Sequence, residues 1–346
     1  MVPSQYATIP LAHSAAVNGD TILIAAGTYP DQVDLSKRLT IIGAGYNLTS
    51  ITGYYTFQTG SARTVSEGLR CQKSVNSGSN SQSGVCMLQG TVDSLIFRRC
   101  YFSETGTGNL YGNAFKRHTG TTGGRLYFDG CIFSAGGYSN NYNSFALWLD
   151  GESAVLTNCL IVDWNGVADP SYQSPFFGSF AGLTVNNCVF LGYRSMFYQG
   201  QGGVAAQFYN SAVYDTASTG AFIWNLPVGS TLDYCASEGA VPSGATNHLT
   251  LTSNPFVNYN RASNYQHGTS DLHPALGSDL IDAGHPDGID ILDGTRMDIG
   301  LYGGLSHFTD GGIPNYPYVE SLTVPPMITT GNDLQINAVG RVGRGY

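Results

Sequence analysis

Three groups of residues in this 346-residue chain have the types and spacing for chemistry. The first is a set of bases and acids: Lys116, Arg117 and His118, then Asp150 and Glu152 about one repeat later. A cation or imidazole held beside a carboxylate can move a proton, next to a uronic acid or at a glycosidic bond. The same pairing also describes a salt bridge between neighbouring turns of the chain, and Arg98 and Arg99 against Asp129 read the same way. The second group is acidic. Asp287, Asp290 and Asp293 are spaced by three, short of the Asp-x-Asp-x-Asp-Gly pattern of a calcium loop. With Arg296 and Asp298 they are expected to form turns and a buried ion pair, calcium being the alternative, and no cofactor is expected. The third group is aromatic. Tyr111, Tyr138, Tyr142, Trp164 and Tyr172 are interleaved with Asn, Ser and Gly, a composition suited to stacking on sugars, to protein contact or to loop packing.

These residues hang on a repeat. Leu95-Ile-Phe-Arg-Arg-Cys100-Tyr-Phe102 returns as Leu126-Tyr-Phe-Asp-Gly-Cys131-Ile-Phe133, as Val155-Leu-Thr-Asn-Cys159-Leu-Ile161 and as Leu183-Thr-Val-Asn-Asn-Cys188-Val-Phe190. A fifth copy, Ala206-Gln-Phe-Tyr-Asn-Ser211-Ala-Val213, carries serine at the cysteine position. Such a period is the mark of a solenoid. Each copy has a second apolar patch upstream (Val85–Leu88, Phe145–Leu149, Met196–Tyr198, Ala221–Trp224), so a turn of chain holds two or three short strands with Gly/Asn corners and no helix. That pattern predicts an all-β parallel β-helix with Leu95, Phe97, Phe102 and their equivalents facing inward. Metal sites use closely spaced cysteine pairs. A cysteine once per turn, replaceable by serine, is instead expected to be a buried ladder of small side chains. No metal is expected there. Cys71 and Cys86 flank a polar loop, either bridged or reduced.

Composition agrees. Only 11% of residues are charged and 45 are glycine, against about 25% charged in an ordinary domain. The net charge of -9, without a basic stripe, argues against nucleic acid as a partner. No apolar run approaches the roughly 20 residues needed for a membrane span. Polar insertions at 72–84, 103–113 and 134–144 are expected to bulge from one side, the usual binding face of a solenoid. The organisation expected is an N-terminal cap over 1–20, rungs over 21–253, a closing rung or cap region over 254–312, and a β-strand tail over 313–346 that serves assembly or docking.

The opening, Val2-Pro-Ser-Gln-Tyr-Ala-Thr-Ile9, Ala15-Ala-Val-Asn-Gly-Asp-Thr-Ile22, Gly27-Thr-Tyr29 and Leu39-Thr-Ile-Ile-Gly43, resembles secreted bacterial right-handed β-helix proteins of the pectin-lyase-like superfamily. So do Asn254-Pro-Phe-Val257, Asp271-Leu-His273, Ile281-Asp-Ala-Gly284, Asp293-Gly-Thr-Arg296 and Asp298-Ile-Gly300 near the end. The resemblance implies a right-handed coil with a short N-terminal capping helix. It also implies an extracellular or cell-surface location, the N-terminal signal having been removed since no hydrophobic leader stands before Tyr6. It does not choose an activity, because fold is not function. The Trp-Ile-Asp-His and Arg-x-Pro-x-x-Arg segments of pectate lyases and a paired-aspartate motif are absent. The expected function is a non-catalytic surface, adhesion or self-assembly solenoid that binds a polysaccharide or copies of itself through the tail. The alternatives are a polysaccharide lyase or glycoside hydrolase, using Arg117, His118 and Asp150, and a phage tail-spike-like protein. Tyr111, Tyr138, Tyr142, Trp164 and Tyr172 are the candidate substrate-binding residues.

Overall fold

A computed structural model describes residues 1–73, 84–104, 113–117, 123–135, 145–163, 174–198, 203–215, 222, 224–239, 241–263, 265–313, 317–323 and 337–342. Three parallel sheets are built from strands between residues 21 and 250. The first begins with Thr21–Leu23 and ends with Ala245–Thr246; the second begins with Gly27–Tyr29 and ends with Leu249–Thr250. The third runs from Val33–Leu35 to Phe176–Phe177. Each strand pairs with its equivalent one turn later. This is a right-handed parallel β-helix, the hand that twisted parallel strands favour.

Alternation makes the core. Phe97, Phe128, Leu156, Val185, Phe208 and Leu232 form one inward column on the first sheet. Phe102, Phe133, Ile161 and Phe190 form another on the second, and Tyr55, Cys86, Phe115, Leu147 and Phe176 a third. All are buried in one continuous cluster. No single rung covers its own inner face; its neighbours do. One register expectation is corrected. Leu126 pairs with Ala154, not Val155, so Val155 faces outward, and the constant interval to the cysteine starts from Leu156.

The cysteine ladder sits at the corner between first and second sheets. The residue before each member adopts a left-handed conformation: Arg99 at φ 48°, Asn158 at 48°, Asn187 at 51°, Asn210 at 47° and Tyr234 at 49°. Asparagine is the non-glycine residue that reaches this region most readily, which accounts for its recurrence. The chain then turns, and the Sγ atoms of Cys100, Cys159, Cys188 and Cys235 donate to the carbonyl two residues back at 3.3–3.4 Å. Ser211 Oγ makes the same bond at 2.7 Å, so a small donor is what the site asks for. Cys235 is a further member of the ladder. All seven cysteines, Cys71 and Cys86 included, are buried free thiols.

At the N-terminus the helix Ile9–Ala15 is capped by Thr8, whose side chain accepts from Leu11 N, and has Pro10 in its first turn. Ile9 and Ala12 are buried beneath it, whereas Val17, beyond its last turn, is exposed. Residues 254–313 lie as a strap along the outer face of the second sheet and share a second apolar cluster with it, including Tyr101, Ile132, Leu160, Val189, Leu280 and Ile299. The turn asparagines anchor the strap. Asn158 Nδ2 donates to the carbonyls of Leu301 and Gly303 at 2.8 and 2.9 Å. Asn187 Nδ2 donates to those of Asp298 and Gly300 at 3.1 and 3.3 Å, and Asn210 Oδ1 accepts from His285 N at 2.8 Å. Beyond the strap, Pro317–Thr323 and Asn337–Val342 pair as an antiparallel hairpin.

Two strap groups titrate with opposite signs. Burial, helped by the Arg70 charge, lowers His267 from 6.5 to about 4. Burial and the carboxylates Asp290, Asp282 and Asp293 raise Asp298 from 3.8 to about 6, against the Asp282 N–H that its carboxylate accepts. The lowered histidine contributes stability present above pH 6.5 and lost as pH falls through about 4; the raised aspartate contributes stability present below pH 3.8 and lost as pH rises through about 6. The two slopes offset one another between pH 4 and 6. Relative to the unaltered chain, Asp298→Asn should melt at temperatures that climb with pH in this window, and His267→Asn at temperatures that fall. Parallel curves for all three chains, followed by circular dichroism, would contradict this.

Candidate functional site

The outer face of the third sheet carries a column of side chains in register. Met87 pairs with Lys116, Lys116 with Trp148 and Trp148 with Phe177. A bridge between Phe176 and Phe197 places Tyr198 next in line. The inward partners Cys86, Phe115, Leu147 and Phe176 are fully buried, so strand alternation turns the other set away from the core; of that set Met87 and Lys116 are nonetheless buried, at 4% and 5% exposure. The rings of Trp148, Phe177 and Tyr198 are half-buried. Trp148 meets Phe177 edge-on at 4.5 Å, and Phe177 tilts against Tyr198 at 5.4 Å. Phe145 stacks beside them, 4.7 Å from Phe177. Lys116 Nζ stands 4.0 Å from the centre of the Trp148 ring, a cation–π geometry. Burial lowers Lys116 to about 8, close enough to neutrality for it to exchange a proton.

At the end of the Lys116 strand, Arg117 reaches the next corner. Its Nε lies 3.3 Å from Glu152 Oε1 and its Nη1 3.5 Å from Asp150 Oδ2, and it also donates to the Asp150 carbonyl. Glu152 is fully buried, while Asp150 is 60% exposed. Glu152 Oε2 accepts from Asp150 N at 2.8 Å. Burial raises the Glu152 carboxyl, against that N–H and the Arg117 charge, which lower it. The corner thus holds a buried carboxylate, a guanidinium and one carboxylate open to solvent.

The structure therefore brings Arg117 and Asp150 together, with Glu152 on the same guanidinium. His118, Tyr111, Tyr138, Tyr142, Trp164 and Tyr172 lie outside the described residues. Arg98 pairs in register with Asp129, but Arg99 turns to Glu67 at 2.6 Å. The expected ion pair of Arg296 with the closing aspartates is corrected: its Nε donates to the Gly284 carbonyl at 2.7 Å and its guanidinium lies over Tyr234. Asp290 instead accepts from the N–H groups of Asp298 and Gly304, and Asp293 from Thr295. No group of three or more metal-ligating side chains stands together among the described residues, and no helix among them is long and apolar enough to cross a membrane.

Sequence reasoning passed over Trp148, Phe177 and Tyr198 as a set. The signal was present as a repeated inward–outward pair: Phe115-Lys116, Leu147-Trp148, Phe176-Phe177 and Phe197-Tyr198. Aligning the upstream patches residue by residue, rather than as apolar blocks, would have found the column.

No protein-family profile matches the chain, and no curated protein matches it. Among solved structures, pectate lyase Pel9A is similar at 14% identity, over 84% of this chain and 90% of its own, with a TM-score of 0.46. Pectin methylesterase PemA from Erwinia chrysanthemi is similar at 14% identity, over 72% and 90%, with a TM-score of 0.45. The pectin methylesterase of Aspergillus niger is similar at 13% identity, over 73% and 85%, with a TM-score of 0.43.

Proposed function

We propose that this chain is a polysaccharide-binding β-solenoid acting outside the cell or at its surface, with the outer face of the third sheet as its glycan-contact strip. The observation that carries this reading is the column Trp148, Phe177 and Tyr198, set one rung apart on a rigid sheet. Half-buried rings one rung apart offer a row of apolar contacts to successive sugars, and their mounting on strands removes most of the ordering cost of binding. Lys116, buried against Trp148, adds a positive charge beneath the strip that favours uronate-containing chains. Truncating a central aromatic anchor typically costs about 2 kcal/mol, roughly thirtyfold in affinity. Trp148→Ala should lose about that much in calorimetric titrations against a panel of uronate-rich and neutral polysaccharides. Equal affinity in the two chains, or binding to none of the panel, would remove the strip from consideration.

Lys116 also favours a second reading, a polysaccharide lyase or hydrolase on the same strip. A lysine near pKa 8 is a competent proton acceptor at mildly alkaline pH, and Asp150, open to solvent beside Arg117, is the carboxylate at the adjoining corner. Incubation with the same panel, followed by ultraviolet absorbance and reducing ends, would then give a rate rising through pH 8 in the unaltered chain and lost in Lys116→Ala. Activity retained in Asp150→Ala would dismiss that carboxylate.

A further inference from the structure

The two ends of the solenoid are built differently. The N-terminal end is closed by the helix Ile9–Ala15, with Met1, Leu11 and Val17 exposed around it. At the C-terminal end the described residues include no such helix. Ala245–Thr246 and Leu249–Thr250 are the outermost strands of their sheets. Among the described residues the last strand of the third sheet is Phe176–Phe177, followed by the single bridge to Phe197, and a hollow of ≈ 430 Å³ opens between Trp224, Leu226, Pro227, Val228, Leu232 and Pro242. Val228 is fully exposed, at 100%, and Val204 and Val241 are about half exposed. An apolar solenoid end with open strand edges is a surface that proteins cover.

The chain carries an element suited to cover it, the hairpin Pro317–Thr323 with Asn337–Val342. A lone two-stranded hairpin is marginal without a surface to pack on. Yet it is tethered near the wrong end of its own solenoid. Ile313 packs on Gly45, leaving no room for a Cβ there, and Tyr46 Oη donates to the Thr309 carbonyl at 3.2 Å. From the strand Thr49–Ile51 of that rung to Leu249–Thr250 is eight strand steps in the second sheet, about 38 Å. Four residues from Ile313 to Pro317 reach about 14 Å, and a seven-residue strand adds about 23 Å. Within one chain only the far tip of the hairpin could touch the open end. In a second copy approaching with its N-terminal end, the tether lies one strand step plus one helix diameter from the junction, about 15 Å.

We propose that a second copy of this chain docks its N-terminal end on the open C-terminal end, with its hairpin alongside the strands Ala245–Thr246 and Leu249–Thr250 and the Val228 hollow. The two surfaces are unlike and at opposite ends, so the contact is head-to-tail and repeats into an open chain of copies. The strand edges supply backbone pairing of the kind used in β-augmentation.

The test uses full-length chains in sedimentation velocity. Val228→Asp blocks the open end at a side chain the fold does not bury. Val339→Pro places a proline in the hairpin opposite Ser321, beside its register shift, to disrupt the pairing. The unaltered chain should form a series of species growing with concentration, and each variant alone should need at least tenfold higher concentration to associate. An equimolar mixture of the two variants should give a one-to-one dimer and nothing larger, because one keeps the hairpin and the other keeps the end. A monomer at every soluble concentration would overturn the proposal. So would undiminished assembly of Val228→Asp or of Val339→Pro, which would mean a symmetric contact, or a mixture that yields no dimer.

Discussion

Phe128→Ala should destabilise the fold by about 3–5 kcal/mol, the range for removing a large buried aromatic. Phe128 sits where the three inward columns meet. It stacks on Phe97 at 5.0 Å and 12°, and meets Phe115 and Phe133 edge-on at 5.3 and 5.1 Å. Its loss leaves a cavity walled by rings that are themselves pinned by strands on either side, so little collapse can refill it. The expected readout is a large drop in the denaturant midpoint with the slope unchanged. Thr184→Ala, on the half-exposed outer face of the first sheet, is the control and should stay within about 0.5 kcal/mol. If the two variants differ by less than 1 kcal/mol, the interior is not packed as described.

Arg117→Ala should be the next most damaging change. It leaves the Glu152 carboxylate, fully buried, without its cation, and breaking one side of a buried pair typically costs about 3–5 kcal/mol. The loss has a pH signature. Glu152 already has a carboxyl pKa raised above 4.5 by burial, and removing the guanidinium raises it further. A raised carboxyl contributes stability that is present below its unfolded pKa and lost as pH rises through the folded one. Arg117→Ala should therefore be better tolerated at pH 4.5 than at pH 7.5, and Glu152→Gln added to it should recover much of the loss at pH 7.5. A deficit independent of pH, or no recovery in the double variant, would show that Arg117 matters through its packing alone.

Much of the architecture was legible because it is periodic. The cysteine positions mark each corner, and the interval from Phe97, Phe128, Leu156 and Val185 to the following cysteine is constant. The start of each copy was less legible. Val155 looks like the equivalent of Leu126 by type, yet Ala154 occupies the inward position, because the rung accepts a small residue there. The asparagines before Cys159 and Cys188 were readable as turn formers. Their second task, holding the strap through Leu301, Gly303, Asp298 and Gly300, joins residues more than a hundred positions apart, and no local pattern encodes it. At the candidate site, Arg117 and Asp150 were found because their charges stand out in a weakly charged chain. The aromatic column was missed because half of each pair is core, and core and surface aromatics share one alphabet.

Without coordinates the chain already specifies a parallel solenoid, the inward character of its cysteine ladder and a small set of charges able to meet across rungs. These follow from local rules, alternation along a strand and a left-handed residue at a corner, repeated often enough to be unambiguous. Folding alone decides which rung a side chain finally faces. It sets Arg99 on Glu67 rather than Asp129, lays residues 254–313 along the second sheet, lines up Lys116, Trp148, Phe177 and Tyr198, and forms the hollow beside Val228. Those outcomes depend on register and on contacts between distant segments, where a shift of one residue exchanges the inner face for the outer.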